Sequence, residues 1–191
     1  IALGVVLINF LTRIGNKSKG PIEDFFDKAG SVISEAEYIL MKEKAKRHKT
    51  LEWFAPYRTT QALRDPQHML LGAFDNQSRN DFQTVVQLEN MMQTNFPVIH
   101  IYSAWGSKGE QEFPAAQVRT IQELGSVPLI TWEPWLTDFD QEEHSHLRDR
   151  EKRDKNGLAD IVTGNYDFYL DKWIEEVKEL ESPILLRWAH E

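Results

Sequence analysis

The strongest constraint on this chain is a change of rhythm that begins near His68. From there, short apolar runs alternate with amphipathic stretches. Residues 69–74, 96–105, 127–132 and 183–189 are strand-length runs rich in β-branched and aromatic side chains. Between them lies 80–94, with Phe82, Val85, Val86 and Met92 on one side. Next comes 114–124, which has proline at its start and Gly125 just past its end. The third interval carries the clearest signal. Tyr166, Tyr169, Leu170, Trp173, Ile174, Val177 and Leu180 recur at the spacing of a core-facing helical stripe. A polar loop over 138–156 is expected before it. Strict alternation at this spacing specifies βαβ units and a parallel sheet. The expected fold class is α/β, a TIM (β/α)8 barrel truncated after its fourth strand, in preference to a doubly wound sheet. No strand is followed by a GxGxxG or GxxxxGK[ST] loop, which removes the common nucleotide-binding fingerprints.

The pattern divides the chain into 1–12, 13–65 and 66–191. Residues 1–12 are almost wholly apolar, from Ile1 to Thr12, and as a helix would cover roughly 18 Å of a hydrocarbon core about 30 Å thick. They read as a remnant of a transmembrane helix and so as a membrane anchor. The apolar region of a signal peptide or a buried element are the alternatives. Both ends of the sequence read as cut. Gly15, Gly20 and Pro21 mark a break, after which 22–49 has helix-forming composition and a basic end at 42–49. This is expected to be a solvated spacer helix, or otherwise one that meets a membrane surface or partner. Pro56 and Pro66 bracket a loop-like stretch, 57–65.

Charge and cysteine content narrow the chemistry. Thirty acidic against 22 basic residues leave a formal charge of −8, opposite to a nucleic-acid binder. Cysteine is absent, so there is no thiolate nucleophile, disulfide or thiolate metal site. The run Glu142-Glu143-His144-Ser145-His146 lacks the helical His-x-x-x-His spacing and reads as a solvated loop. No metal and no cofactor is expected, and His48 and His68 receive no role.

In a parallel barrel the working groups collect at the C-terminal ends of the strands. Those ends carry Asp75 and Asn76, then Tyr102 and Trp105, then Trp132, Glu133 and Trp135, and finally His190 and Glu191. Carboxylates supply acid, base or nucleophile for glycoside cleavage, and flat rings stack on the apolar faces of sugars. Period-two alternation puts Leu185, Arg187, Ala189 and Glu191 on one face of the fourth strand, with Leu186, Trp188 and His190 on the other. Arg187 would be awkward beneath helices but useful inside a barrel, where it can orient carboxylates or tie strands together. The same alternation pairs His100 with Tyr102.

These residues resemble glycoside hydrolase family 26. The run from Pro183 to Glu191, Pro-Ile-Leu-Leu-Arg-Trp-Ala-His-Glu, is similar to that family's fourth-strand motif. Pro128 to Pro134 resembles its third strand, and Gly164 to Tyr169 the start of its third helix. The resemblance implies a (β/α)8 barrel that cleaves β-linked polysaccharides with retention: β-mannans mainly, also mixed-linkage β-glucans or β-xylans. By position Glu191 is then the general acid/base and His190 the substrate-contacting residue beside it. The second carboxylate, the nucleophile, comes from a seventh strand in that family, so no residue of this sequence is nominated for it, and this segment alone is expected to be inactive.

The expected function is therefore a retaining endo-β-glycanase, extracytoplasmic and membrane-anchored. Glu191 is its general acid/base, and His190, Trp132, Trp135, Trp105 and Tyr102 contact substrate. Arg187 and Glu133 support them. Its partner is a polysaccharide, and the sequence leaves no mark of oligomeric state. The rival is a non-catalytic carbohydrate-binding barrel in a membrane-bound polysaccharide synthesis or export assembly. A barrel isomerase or aldolase is more distant, because a phosphate site or a strand-end lysine would be expected.

Overall fold

A computed structural model describes residues 44, 46–74 and 82–189. The readings made for 1–12, Asp75, Asn76, His190 and Glu191 lie outside these residues. Four strands form one all-parallel sheet in the order β1 (Gly72–Phe74), β2 (Val98–Ala104), β3 (Val127–Glu133), β4 (Leu185–Trp188). Each strand is laid beside its predecessor, without the reversal of a doubly wound sheet. The fold is mixed α/β with a four-stranded parallel sheet. Strands form where apolar runs were expected, with β1, β2 and β4 shorter by a few residues and β3 longer by one, to Glu133.

Five helices are labelled here: α1 (Thr60–Arg64), α2 (Gln83–Met92), α3 (Ala115–Glu123), α4 (Arg150–Val162) and α5 (Asp167–Lys178). The stripe of α5 places Tyr169 and Trp173 in a core with Val85 of α2, Val118 and Ile121 of α3, and Ile99, Ile101, Ile130 and Trp132 of the sheet. These strand residues alternate along β2 and β3, so they define one face of the sheet, the face the helices cover. Burial pushes the Tyr169 hydroxyl up to about 12. That hydroxyl donates to the carbonyl of Gln111 at 2.6 Å.

Three expectations are corrected. The polar loop 138–156 gives way to helix α4 from Arg150 onward. That helix has no long apolar stripe; Ile161 packs on the core, and Arg153, nearly fully buried, donates from Nη1 to the carbonyls of Leu136 (3.0 Å) and Phe139 (2.9 Å). The loop-like stretch 57–65 is largely helix α1, whose first turn is capped by the Thr59 side chain accepting from the Ala62 amide. Residues 46–50, the end of the expected solvated helix, are helical but not wholly solvated. Arg47 is 1% exposed and bonds the Glu89 carboxylate at 2.9 Å, the Ser126 hydroxyl at 3.0 Å and the Leu124 carbonyl at 3.2 Å.

The compact unit containing the sheet accordingly starts at Lys46, upstream of residue 66. Leu51 and Phe54 pack with Val127 and Leu185 at the N-terminal ends of β3 and β4, on the sheet face the helices leave uncovered. His48 bonds the Glu123 carbonyl at 2.8 Å, and His68 the Tyr57 hydroxyl at 3.0 Å. Both are explained by local structure.

One turn governs the C-terminal end of β2. A Cβ on Gly106 would lie 2.1 Å from Gln111 Oε1. Gln111 cannot swing aside freely, because its amide donates to the Trp105 carbonyl (3.1 Å) and Asp138 (3.0 Å) while its oxygen accepts from the Lys108 amide (3.0 Å). Gly106→Ala is therefore expected to cost about 1–3 kcal/mol as overpacking, read as a lowered midpoint of thermal unfolding. An unchanged midpoint would mean that Gln111 relaxes without loss.

Candidate active site

The register brings a row of polar side chains together on the face the helices leave uncovered. Tyr102 of β2, Thr131 of β3 and Arg187 of β4 are direct neighbours across the strands, with His100 and Phe74 one layer below. Thr131 is the hub and is completely buried. Its hydroxyl accepts from Arg187 Nε at 2.8 Å and shares a hydrogen bond with His100 Nε2 at 2.6 Å. Arg187 Nη2 donates to the Tyr102 hydroxyl at 3.1 Å, and the guanidinium carbon lies 5.8 Å from the centre of the Tyr102 ring. The rings of Phe74, His100 and Tyr102 touch in a cluster with centroids 4.8–5.2 Å apart.

The alternation read for strand four holds across Leu185 to Trp188, and so does the pairing of His100 with Tyr102. Arg187 sits with hydroxyls and rings rather than beneath helices. Glu133 lies two residues beyond Thr131 on the same face and is buried, and its carbonyl accepts from the amides of Trp105 and Trp135. Thr131 escaped the sequence reading. Its signal was a polar residue at an alternate position of an apolar strand, in line with Glu133.

The aromatic residues divide. Tyr102 and Trp135 are about half-exposed, with rings accessible to a ligand. Trp105 and Trp132 are not, and their expected role in stacking on substrate is corrected. Trp105 is fully buried, and Trp132 is stacked on Trp173 at 4.1 Å and 24°. Both rings pack against Tyr169 under the helices, and a ring closed on both faces offers none to a sugar. Trp188 packs edge-on against both on the same side.

The histidines of the 142–146 run join a surface cluster. His144 stacks on Phe168 at 4.6 Å, and the Glu142 and Glu143 amides donate to Asp140. Among the described residues no group of three or more His, Asp or Glu side chains is placed to hold a metal ion. No helix among them is long and apolar enough to cross a membrane.

Comparison with protein-family models, with curated proteins and with solved structures finds no match to this chain.

Proposed function

We propose that this chain is the first half of a (β/α)8 barrel of a retaining endo-β-glycanase resembling glycoside hydrolase family 26, with Glu191 as general acid/base. The observation that carries the reading is the Arg187–Thr131–Tyr102–His100 network on the uncovered sheet face, whose Arg187 lies on β4, three residues before His190 in the sequence. A guanidinium has five N–H donors. Among the described residues Thr131 and Tyr102 engage two of them, leaving capacity to hold a carboxylate in place.

In the proposed mechanism Glu191 protonates the departing glycosidic oxygen. In the second half-reaction the same group takes a proton from the water that releases the sugar. His190 contacts the sugar beside it. The second carboxylate must approach within about 5–5.5 Å, as retention requires, and belongs to a later strand. The polysaccharide is extracytoplasmic, and residues 1–12 anchor the protein beside it.

The test uses the protein expressed from its full coding region. Reducing ends are measured on mannan, xylan and mixed-linkage β-glucan, and the anomer first formed is identified by NMR. Release of the β-anomer from one of these polymers is the expected result. Inversion, or binding without cleavage, would remove the retaining mechanism.

A further inference from the structure

The N-terminal end of the sheet carries an exposed apolar surface that the proposed mechanism does not use. In helix α2, Val85 and Glu89 are buried, while Leu88, Met91 and Met92 share the outer side. Met91 is 81% exposed and Met92 56% exposed. Just past them, Thr50, Trp53, Met69, Leu71, Gln93 and Pro97 line one hollow of about 170 Å³, ahead of the first residues of β1 and β2. Met69 is 86% exposed, and Trp53 and Leu71 are about half-exposed. The Trp53 ring is held from behind by Tyr57 and His68, with centroids at 6.3 and 6.0 Å.

The surface is flanked by positive charge. Lys46 and Lys49 are exposed. Lys46 donates to Asn90 Oδ1, one residue before Met91, and Lys49 directly precedes Thr50 of the hollow. Residues 46–68 hold Lys46, Arg47, Lys49, Arg58 and Arg64 against Glu52 and Asp65, in a chain whose formal charge is −8. Arg47 is spent internally on Glu89, so the excess shown to the outside comes from the others.

We infer that this end of the sheet lies on the surface of an anionic bilayer. Trp53, Met69, Leu71, Met91 and Met92 sit at the level of the headgroups, and Lys46 and Lys49 pair with lipid phosphates. Tryptophan suits that boundary because its ring is apolar and carries one N–H. Methionine side chains adapt to an irregular apolar surface, and lysines keep their charge in the polar layer above an apolar stem. The hollow is smaller than the pockets that take small molecules, and the most exposed apolar side chains project instead of enclosing a cavity. The contact needs neither residues 1–12 nor Glu191. It adds an orientation, with the C-terminal ends of the strands turned away from the lipid.

The test uses the full coding-region protein carrying Met92→Cys, or Asp154→Cys on α4 as a control, labelled with a fluorophore that responds to polarity. These 191 residues contain no cysteine of their own. Vesicles are phosphatidylcholine alone or mixed with phosphatidylglycerol, with and without lipids brominated in the acyl chains. On the anionic vesicles the Met92→Cys label is expected to shift to the blue, gain about twofold or more in emission and be quenched by bromine, while the Asp154→Cys label does not change. Lys46→Glu with Lys49→Glu, and separately Met69→Ser with Met91→Ser, are each expected to remove more than half of that response. Raised salt should weaken it. Matching circular dichroism and melting curves establish that the variants fold. An unmoved Met92→Cys label on protein that sediments with the vesicles overturns the surface and leaves the anchor alone. Equal responses at the two labels overturn it as well. A shift that grows with protein concentration in the absence of vesicles would mean that a second copy covers this end, and also overturns it. Hydrolysis of glycans has no bearing on any of these readings.

Discussion

On the proposed function, Glu191→Gln in the full coding-region protein is expected to lower kcat/KM on a polymeric β-glycan by about 10²–10⁴-fold, the range a general acid/base contributes. That equals about 2.7–5.5 kcal/mol of barrier. Glutamine keeps the shape and hydrogen-bonding reach of the side chain but has no acidic proton, so the sugar oxygen must leave as an alkoxide. The size of the loss should therefore depend on the leaving group. An aryl glycoside with an acidic phenol needs no proton, and its first step is expected to fall far less than that of the polymer. Its second step stays slow because no base activates water, so a burst of phenol followed by a slow phase is expected. Stopped-flow absorbance with such a substrate, beside reducing-end assays on polymer, checks both halves. A variant that retains polymer activity within a few-fold would remove Glu191 from the acid/base role.

The largest expected effect on stability lies at the other end of the sheet, where Arg47 meets Glu89. Both are nearly fully buried. The Glu89 carboxylate accepts from Arg47 Nη2 (2.9 Å), the Phe96 amide (2.8 Å) and Asn95 Nδ2 (2.9 Å). The Ser126 hydroxyl accepts a further Arg47 N–H and donates its own hydrogen bond to the Phe96 carbonyl at 2.7 Å. One ion pair thus connects residues 46–50, helix α2 and the starts of β2 and β3. Removing one member leaves the other charged in a site closed to water. Arg47→Met is expected to destabilise by about 3–5 kcal/mol. For a chain of this size that lowers the melting midpoint by roughly 6–20 °C. Arg47→Met with Glu89→Gln should recover part of the loss, because the uncompensated charge is gone while the amide oxygen still accepts from Phe96. Thermal unfolding of the two variants and the parent decides it. A midpoint within 2 °C of the parent in Arg47→Met would mean that water reaches the pair.

The two regions differ in how much of them could be read ahead of the structure. The strands and α5 were legible because their signal is local. A period of two or 3.6 in apolar residues records which side of an element faces a core, whatever that core contains. Alternation likewise put Arg187 on the face opposite Trp188, and His100 beside Tyr102. Helix α4 left no such trace. Its residues are mostly charged, and besides Ile161, which packs on the core, it is tied down by a buried arginine bonded to carbonyls of a loop more than ten residues away in the chain. Arg47 misled for a related reason: an arginine in a run of lysines looks solvated unless its distant acid and carbonyl are known.

By itself, then, the sequence determined the order of the four strands and of α2, α3 and α5 between them, the parallel sheet and the face on which each strand residue stands, since backbone geometry ties these to the apolar pattern. Tertiary structure alone decided which strand-end rings are core and which are open. Trp105, Trp132 and Trp135 are the same residue type within or just past two neighbouring strands. Only the helix that lands on each of them, with Tyr169 and Trp173 closing over the first two, separates a packed ring from an available one. Register across three strands likewise made a network of Thr131, Arg187 and His100, because residues 31 and 56 positions apart in the chain meet only when the sheet forms.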